Sequence, residues 1–126
     1  MDRCDKAVEL KHSGNNCCQA VLLSYADLLP LTDAALKALG STFGAGMGSI
    51  EATCGALCGA EMVMGLLNNG KAPAGAAART LYSEFKRVCG ATGCGDLKGI
   101  STGKMLCSCD DCVRNAVMIT DAMLSR

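Results

Sequence analysis

The chain has 126 residues, with twelve basic and twelve acidic side chains and a formal net charge of zero, which suits one domain with a real core. Its Lys and Arg stand singly or in pairs, and two Phe, two Tyr and no Trp offer no stacking platform, so nucleic acid is not an expected partner. The near-apolar run 52–67 is too short for a bilayer and carries Glu61, so no membrane insertion is expected.

Six helical segments follow in chain order. Residues 2–12 form the first, ended by "SGNN", where Gly14 suits a helix C-terminus. Asn15 or Asn16 caps the second, "CCQAVLLSYADLL", which is apolar nearly all round and ends at Pro30. Thr32 and Asp33 open a short third helix through Leu39, with Gly40 as its stop. "FGAGMGS" is too glycine-rich to be helical.

The fourth helix is "ATCGALCGAEMVMGLL", ended by "NNGKAP". Pro73 suits the first turn of the fifth, where Ala74, Ala77, Ala78, Leu81, Tyr82, Phe85 and Val88 form an amphipathic stripe. A long loop with four cysteines leads to the last helix, which begins near Asp110 and has Val113, Ala116, Val117, Thr120 and Leu124 on one face. No strand period and no internal repeat is visible. The expected fold is all-α: one domain, 1–126, built as a bundle of about four to six helices with a glycine-rich loop and a Cys-rich loop.

Ten cysteines then need an account. The N-terminus has alternating charges and no apolar signal core, so a cytoplasmic location is expected, where thiols stay reduced and many cysteines point to metal or redox chemistry. The competing case is a secreted chain held by disulfides. Cys17 and Cys18 fall in the first turn of the second helix, Cys54 near the start of the fourth, and Cys109 and Cys112 at the start of the last. Helix N-termini favour thiolate over thiol, whether the sulfur attacks a disulfide or binds a metal. Cys54 and Cys58 share one helix face, and Gly55 and Gly59 beside them leave room for a close neighbour.

Cys89, Cys94, Cys109 and Cys112 are candidates for a four-thiolate zinc site, although their spacing departs from paired C-x2-C. A thioredoxin reading of Cys109-Asp110-Asp111-Cys112 fails, because no βαβ pattern surrounds it. His12 reads as a solvated surface residue and Glu61 as a bundle-surface charge. Met62, Met64, Met118 and Met123 read as core filler, and "FGAGMG" as a tight connection that brings backbone N–H groups near a thiolate.

"NCCQAVL", "FGAGMG", "CGALCG", "CGDLKG" and "CDDCV" occur in order along nearly the whole chain. The ordered set resembles the C-GCAxxG-C-C family of redox-active proteins. That resemblance implies a helical redox protein whose four family cysteines fall on Cys17, Cys54, Cys94 and Cys109, with Cys107 and Cys112 competing for the last place. Gly55 and Gly59 carry over as the glycines of the central motif, expected at the cofactor-binding end.

The expected central set is therefore Cys17, Cys54, Cys94 and Cys109, with Cys18, Cys58 and Cys112 as resolving thiols or added metal ligands. Its chemistry is electron transfer through an iron–sulfur cluster or dithiol–disulfide exchange. Alternatives are a Cu(I) or Zn binding or storage protein and a disulfide-stabilised structural domain. A redox partner protein is expected but unidentified, a homodimer is plausible, and whether the chain is an enzyme stays open.

Overall fold

The computed structural model describes residues 1–68, 74–100 and 102–125. Among them every regular element is helical: α1 (Arg3–Lys11), α2 (Cys17–Ser24), α3 (Asp33–Gly40), α4 (Gly44–Met47), α5 (Gly55–Asn68), α6 (Ala74–Cys89), α7 (Cys94–Lys98) and α8 (Cys109–Leu124). The expected class holds, with eight helices in place of about four to six. The additions are the short α4 and α7, which lie in stretches that read as loops. The expected stop at "NNGKAP" and the first-turn role of Pro73 lie largely outside the described residues.

Local chemistry sets the helix starts. Asn16 caps α2 in a reciprocal box: its Oδ1 accepts the Gln19 N–H at 2.8 Å, and Gln19 Oε1 accepts the Asn16 N–H at 2.9 Å. Asp2, Thr32 and Ser108 cap α1, α3 and α8 in the same sense, each accepting a backbone N–H three residues on.

α2 stops at Ser24, five residues before the expected end at Leu29. Arg3 of α1 takes the Ser24 carbonyl and stacks 4.5 Å from the centre of the Tyr25 ring. The Tyr25 hydroxyl donates to Asp121 Oδ1 at 2.6 Å, so side chains of α1 and α8 hold the chain where a longer helix would run. Tyr25→Phe should cost about 1–2 kcal/mol in urea unfolding, because Asp121 loses a charge-assisted partner.

α2 is the central helix. It packs on α1, α3, α5 and α8, and its most extensive contact is with α5. Ala20, Val21, Leu22, Ala56, Leu57, Ala60, Leu81, Phe85, Val113, Ala116 and Val117 are buried between them. The expected stripe of α6 reaches the core at Leu81, Phe85 and Cys89, while Tyr82 is exposed. On α8, Met118 and Leu124 are exposed, so Met118 is not core filler; Met62, Met64 and Met123 do pack against the core.

The glycine row on α5 sets how closely α2 approaches. A Cβ on Gly59 would lie 2.8 Å from the Cys18 carbonyl oxygen and 3.0 Å from Val21 Cβ. Backbone cannot step aside as a side-chain tip can, so Gly59→Ala should destabilise the fold by about 1–3 kcal/mol, read as a lower urea midpoint.

Candidate functional site

Two backbone devices bring the thiols together. Residues ahead of α5 pair antiparallel with residues ahead of α7: Thr53 bridges Gly93, the Cys54 N–H donates to Thr92 O at 2.7 Å, and the Cys94 N–H donates to Ala52 O at 2.9 Å. The expected helix start at Ala52 therefore moves to Gly55, because Ala52 and Thr53 are extended and spent on this pairing. It sets Cys54 and Cys94 side by side.

The second device is α4. Ala45, Gly46, Met47 and Gly48 all have positive φ (51, 61, 56 and 77°), a left-handed turn that costs energy at Ala45 and Met47. Gly46 is needed there, since a Cβ would lie 2.8 Å from Cys94 Cβ. The turn seats Ala45 against the sulfurs. The glycine-rich segment, expected as a tight connection that brings backbone N–H groups near a thiolate, instead forms a helical turn of the opposite hand whose N–H groups of Gly48, Ser49 and Ile50 bond back to its own carbonyls and whose Ala45 lines the sulfurs.

Between these devices lies a small cavity of about 20 Å³, lined by Cys17, Ala45, Cys54, Gly55, Cys94, Leu97, Lys98, Cys107, Cys109 and Cys112. That volume admits about one water. Sulfur dominates the wall, and among the described residues no imidazole or carboxylate lines it. Cys17, Cys94 and Cys109 are the first residues of α2, α7 and α8, and Cys54 immediately precedes α5.

All ten cysteines are free thiols, and the electrostatic coupling among the clustered ones divides them into two groups. Cys112 is the hub of one, electrostatically coupled to Cys54, Cys89 and Cys107, while its own S–H donates to the Cys107 carbonyl at 3.8 Å. Cys17 and Cys109 bond to each other, with Lys98 bonded to Cys109 and Cys94. The two sulfurs of the C-x2-C at 109 and 112 therefore point to different partners, and those of the C-x4-C at 89 and 94 diverge likewise. The four-thiolate set Cys89, Cys94, Cys109 and Cys112 is split by the fold into two and two.

Electrostatics differ between the groups. The Cys109 thiol is pulled down to about 5, by its bond from Cys17 first and then by the charges of Lys98 and Lys11 against the cost of burial. Cys17 is pushed far up by the same bond and by burial, so it keeps its proton while Cys109 is a thiolate. Burial opposes the Lys98 charge, yet the Cys109 and Cys94 sulfurs outweigh it and raise its pKa. Cys54 is lowered by its bond from Cys112 and by the N–H groups of Ala56 and Leu57 at the start of α5. Cys89 is lowered to about 6 by Cys112, Asn115 and Cys107, whereas burial pushes Cys107 up to about 11.

Of the residues singled out from the sequence, Cys17, Cys54, Cys94, Cys109 and Cys112 line the cavity, with Gly55 beside them. Gly59 is spent on helix packing. Cys18 and Cys58 are not brought in: Cys18 lies against Met62, its Sγ 3.9 Å from Sδ, and Cys58 turns back to the Thr53 carbonyl. Burial raises both, to about 12 and about 11, which leaves them protonated at neutral pH. His12 is exposed, as expected, and pairs with Asp110 at 2.7 Å. Glu61 is half-buried beside Ala74, Ala77 and Ala78, and burial lifts it to about 7.

Sequence reasoning left Cys89 and Cys107 outside the expected central set, naming them only as a zinc-site candidate and a competing family position, and it missed Asn115 and Lys98 as site residues. Lys98 carried a signal, since it stands four residues after Cys94 and so on the same face of α7. Asn115 carried none, because it meets Cys89 only where α6 packs on α8.

No helix among the described residues is long and apolar enough to cross a membrane. No curated protein and no solved structure matches the chain. A family model does, over residues 15–123, which takes in all the cysteines but Cys4. The chain belongs to the family described as "Putative redox-active protein (C_GCAxxG_C_C)".

Proposed function

We propose that the chain acts as one helical redox domain, 1–126, by dithiol–disulfide exchange at Cys17 and Cys109, in the cytoplasm. The observation that carries this reading is the Cys17–Cys109 contact, with Cys109 half-buried at the start of α8 and facing the Lys98 ammonium. A helix N-terminus and a cation make a thiolate, partial exposure lets a substrate reach it, and the bonded neighbour resolves it.

The Cys109 thiolate attacks one sulfur of a substrate disulfide, a new S–S bond forms, and the other substrate sulfur leaves as thiolate and takes a proton from water. Forming the mixed disulfide removes the negative charge from Cys109 that had held Cys17 protonated. Cys17 then passes its proton to the departing second thiolate and attacks the Cys109 sulfur. The substrate gains two electrons and two protons, and the protein ends as a Cys17–Cys109 disulfide.

The test is trapping. Reduced Cys17→Ser protein mixed with glutathione disulfide should hold one glutathione adduct, on Cys109, by intact mass and peptide mapping. A stable adduct in the unaltered protein, or an adduct on another cysteine in Cys17→Ser, overturns the pairing.

A second reading, electron transfer through an iron–sulfur centre, is favoured by the six cysteines of the cavity wall. Iron with acid-labile sulfide in anaerobically purified protein selects it.

A further inference from the structure

The exchange reading uses two of the clustered thiols and leaves four others coupled to one another with no task. Cys112 is 2 % exposed, Cys89 4 %, Cys54 6 % and Cys107 8 %, so all four are too buried to meet a substrate disulfide. Three lie outside the expected central set: Cys89 ends α6, Cys107 precedes α8, and Cys112 lies one turn into α8.

We propose that Cys54, Cys89, Cys107 and Cys112 form a closed mononuclear tetrathiolate site for a borderline-soft divalent cation of the Zn²⁺ class, separate from the exchanging pair. The Sγ atoms of Cys89, Cys107 and Cys112 all lie within 4.8 Å of one another. Metal–thiolate bonds of about 2.3 Å at tetrahedral angles space sulfurs about 3.8 Å apart, so the triad closes on an ion by side-chain adjustment alone. Cys54 stands outside that 4.8 Å group but lines the same small cavity as Cys107 and Cys112, and it moves in as the fourth sulfur.

The surroundings suit bound thiolates. Asn115 Nδ2 points at two of the sulfurs, 3.5 Å from Cys89 Sγ and 3.8 Å from Cys107 Sγ, as the outer shell of a metal site requires. The N–H groups of Ala56 and Leu57 face Cys54. Sulfur-only donors select soft and borderline ions over Mg²⁺ and Ca²⁺. Binding releases the thiol protons to solvent and involves no change of oxidation state. A closed S₄ shell leaves no open position for a substrate, so the site's role is to tie α5, α6 and α8 together beneath the exchanging pair.

The test uses the full chain, reduced, stripped with chelator and titrated with Zn²⁺ or Co²⁺ alone. One ion per chain should bind, and Co²⁺ should give the intense visible bands and sulfur charge transfer of tetrahedral thiolate ligation. In partly denaturing urea, which opens these buried thiols, loading should protect Cys54, Cys89, Cys107 and Cys112 from maleimide relative to the stripped protein, by peptide mapping. Cys112→Ser should weaken binding at least a hundredfold and Asn115→Leu about tenfold, whereas Cys17→Ser and Cys109→Ser should leave it unchanged. If Cys112→Ser does not fold, Cys107→Ser and the maleimide footprint of the unaltered chain decide. Loss of the Co²⁺ spectrum in Cys17→Ser or Cys109→Ser, its survival in Cys107→Ser, or iron with sulfide filling these four residues overturns the proposal. Glutathione trapping at Cys109 is read separately, so failure of the exchange reading leaves this one standing, and the converse.

Discussion

Replacing Cys109 with Ser should slow reduction of a small disulfide by at least about tenfold at pH 7, while helix content stays unchanged. Of the thiols that remain, Cys4 and Cys58 are half-buried, and burial raises both. Cys58 is raised to about 11. At pH 7 roughly one part in ten thousand of such a thiol is ionised, and its greater intrinsic nucleophilicity recovers only about 2.7 decades over a thiol near 5 at a Brønsted slope of about 0.45. The net deficit is about twentyfold. Cys89 is the more acidic rival, at about 6, but it is 4 % exposed and enclosed by Asn115, Cys107 and Cys112. Stopped-flow kinetics of the reduced protein with an aromatic disulfide reads the effect. An unchanged rate in Cys109→Ser would show that another sulfur does the work.

Lys98→Gln should move the pH at which Cys109 becomes reactive upward by about one unit, in line with removal of an opposite charge in contact with the sulfur. The sign follows from the acid equilibrium. Cys109 is held down at about 5, by Cys17 first and by Lys98 and Lys11 next, so its thiolate exists above that pH and is lost below it. Iodoacetamide labelling of Cys109 should therefore be nearly flat from pH 8 to pH 6 and fall through half its value near pH 5. In Lys98→Gln the fall should begin earlier on acidification, cutting the rate several-fold at pH 5.5 and little at pH 8. Lys98→Arg keeps the charge and should restore most of the profile. A profile insensitive to both changes would assign the acidity of Cys109 to Cys17 and the α8 terminus alone.

The left-handed turn at α4 bears on both experiments. It stores strain at Ala45 and Met47 while covering the sulfurs, and Gly46 fits only because it lacks a Cβ beside Cys94. The turn is therefore part of the thiol environment and more than a connection between helices.

Much of this protein was legible in its residues. Asn16 and Thr32 mark helix starts through side-chain oxygens three residues from the N–H groups they cap, a local relation that sequence spacing carries directly. The stripe of α6 and the placement of Cys17, Cys54 and Cys109 at helix starts follow from the same short-range rules. Spacing along one helix says which residues share a face, but not which face of another helix it meets. Cys58 shares a face with Cys54 by spacing, yet its sulfur turns back to Thr53 while that of Cys54 reaches Cys112. The pairing of residues 52–54 with 92–94, and the packing of α6 on α8, are contacts distant in sequence. They alone bring Cys89, Cys107 and Lys98 to the site and leave Cys18 and Cys58 outside it. Sequence determined which thiols would stand at helix starts; tertiary packing decided which of them are drawn toward thiolate, as Cys109 and Cys54 are, and which keep their proton, as Cys17 does.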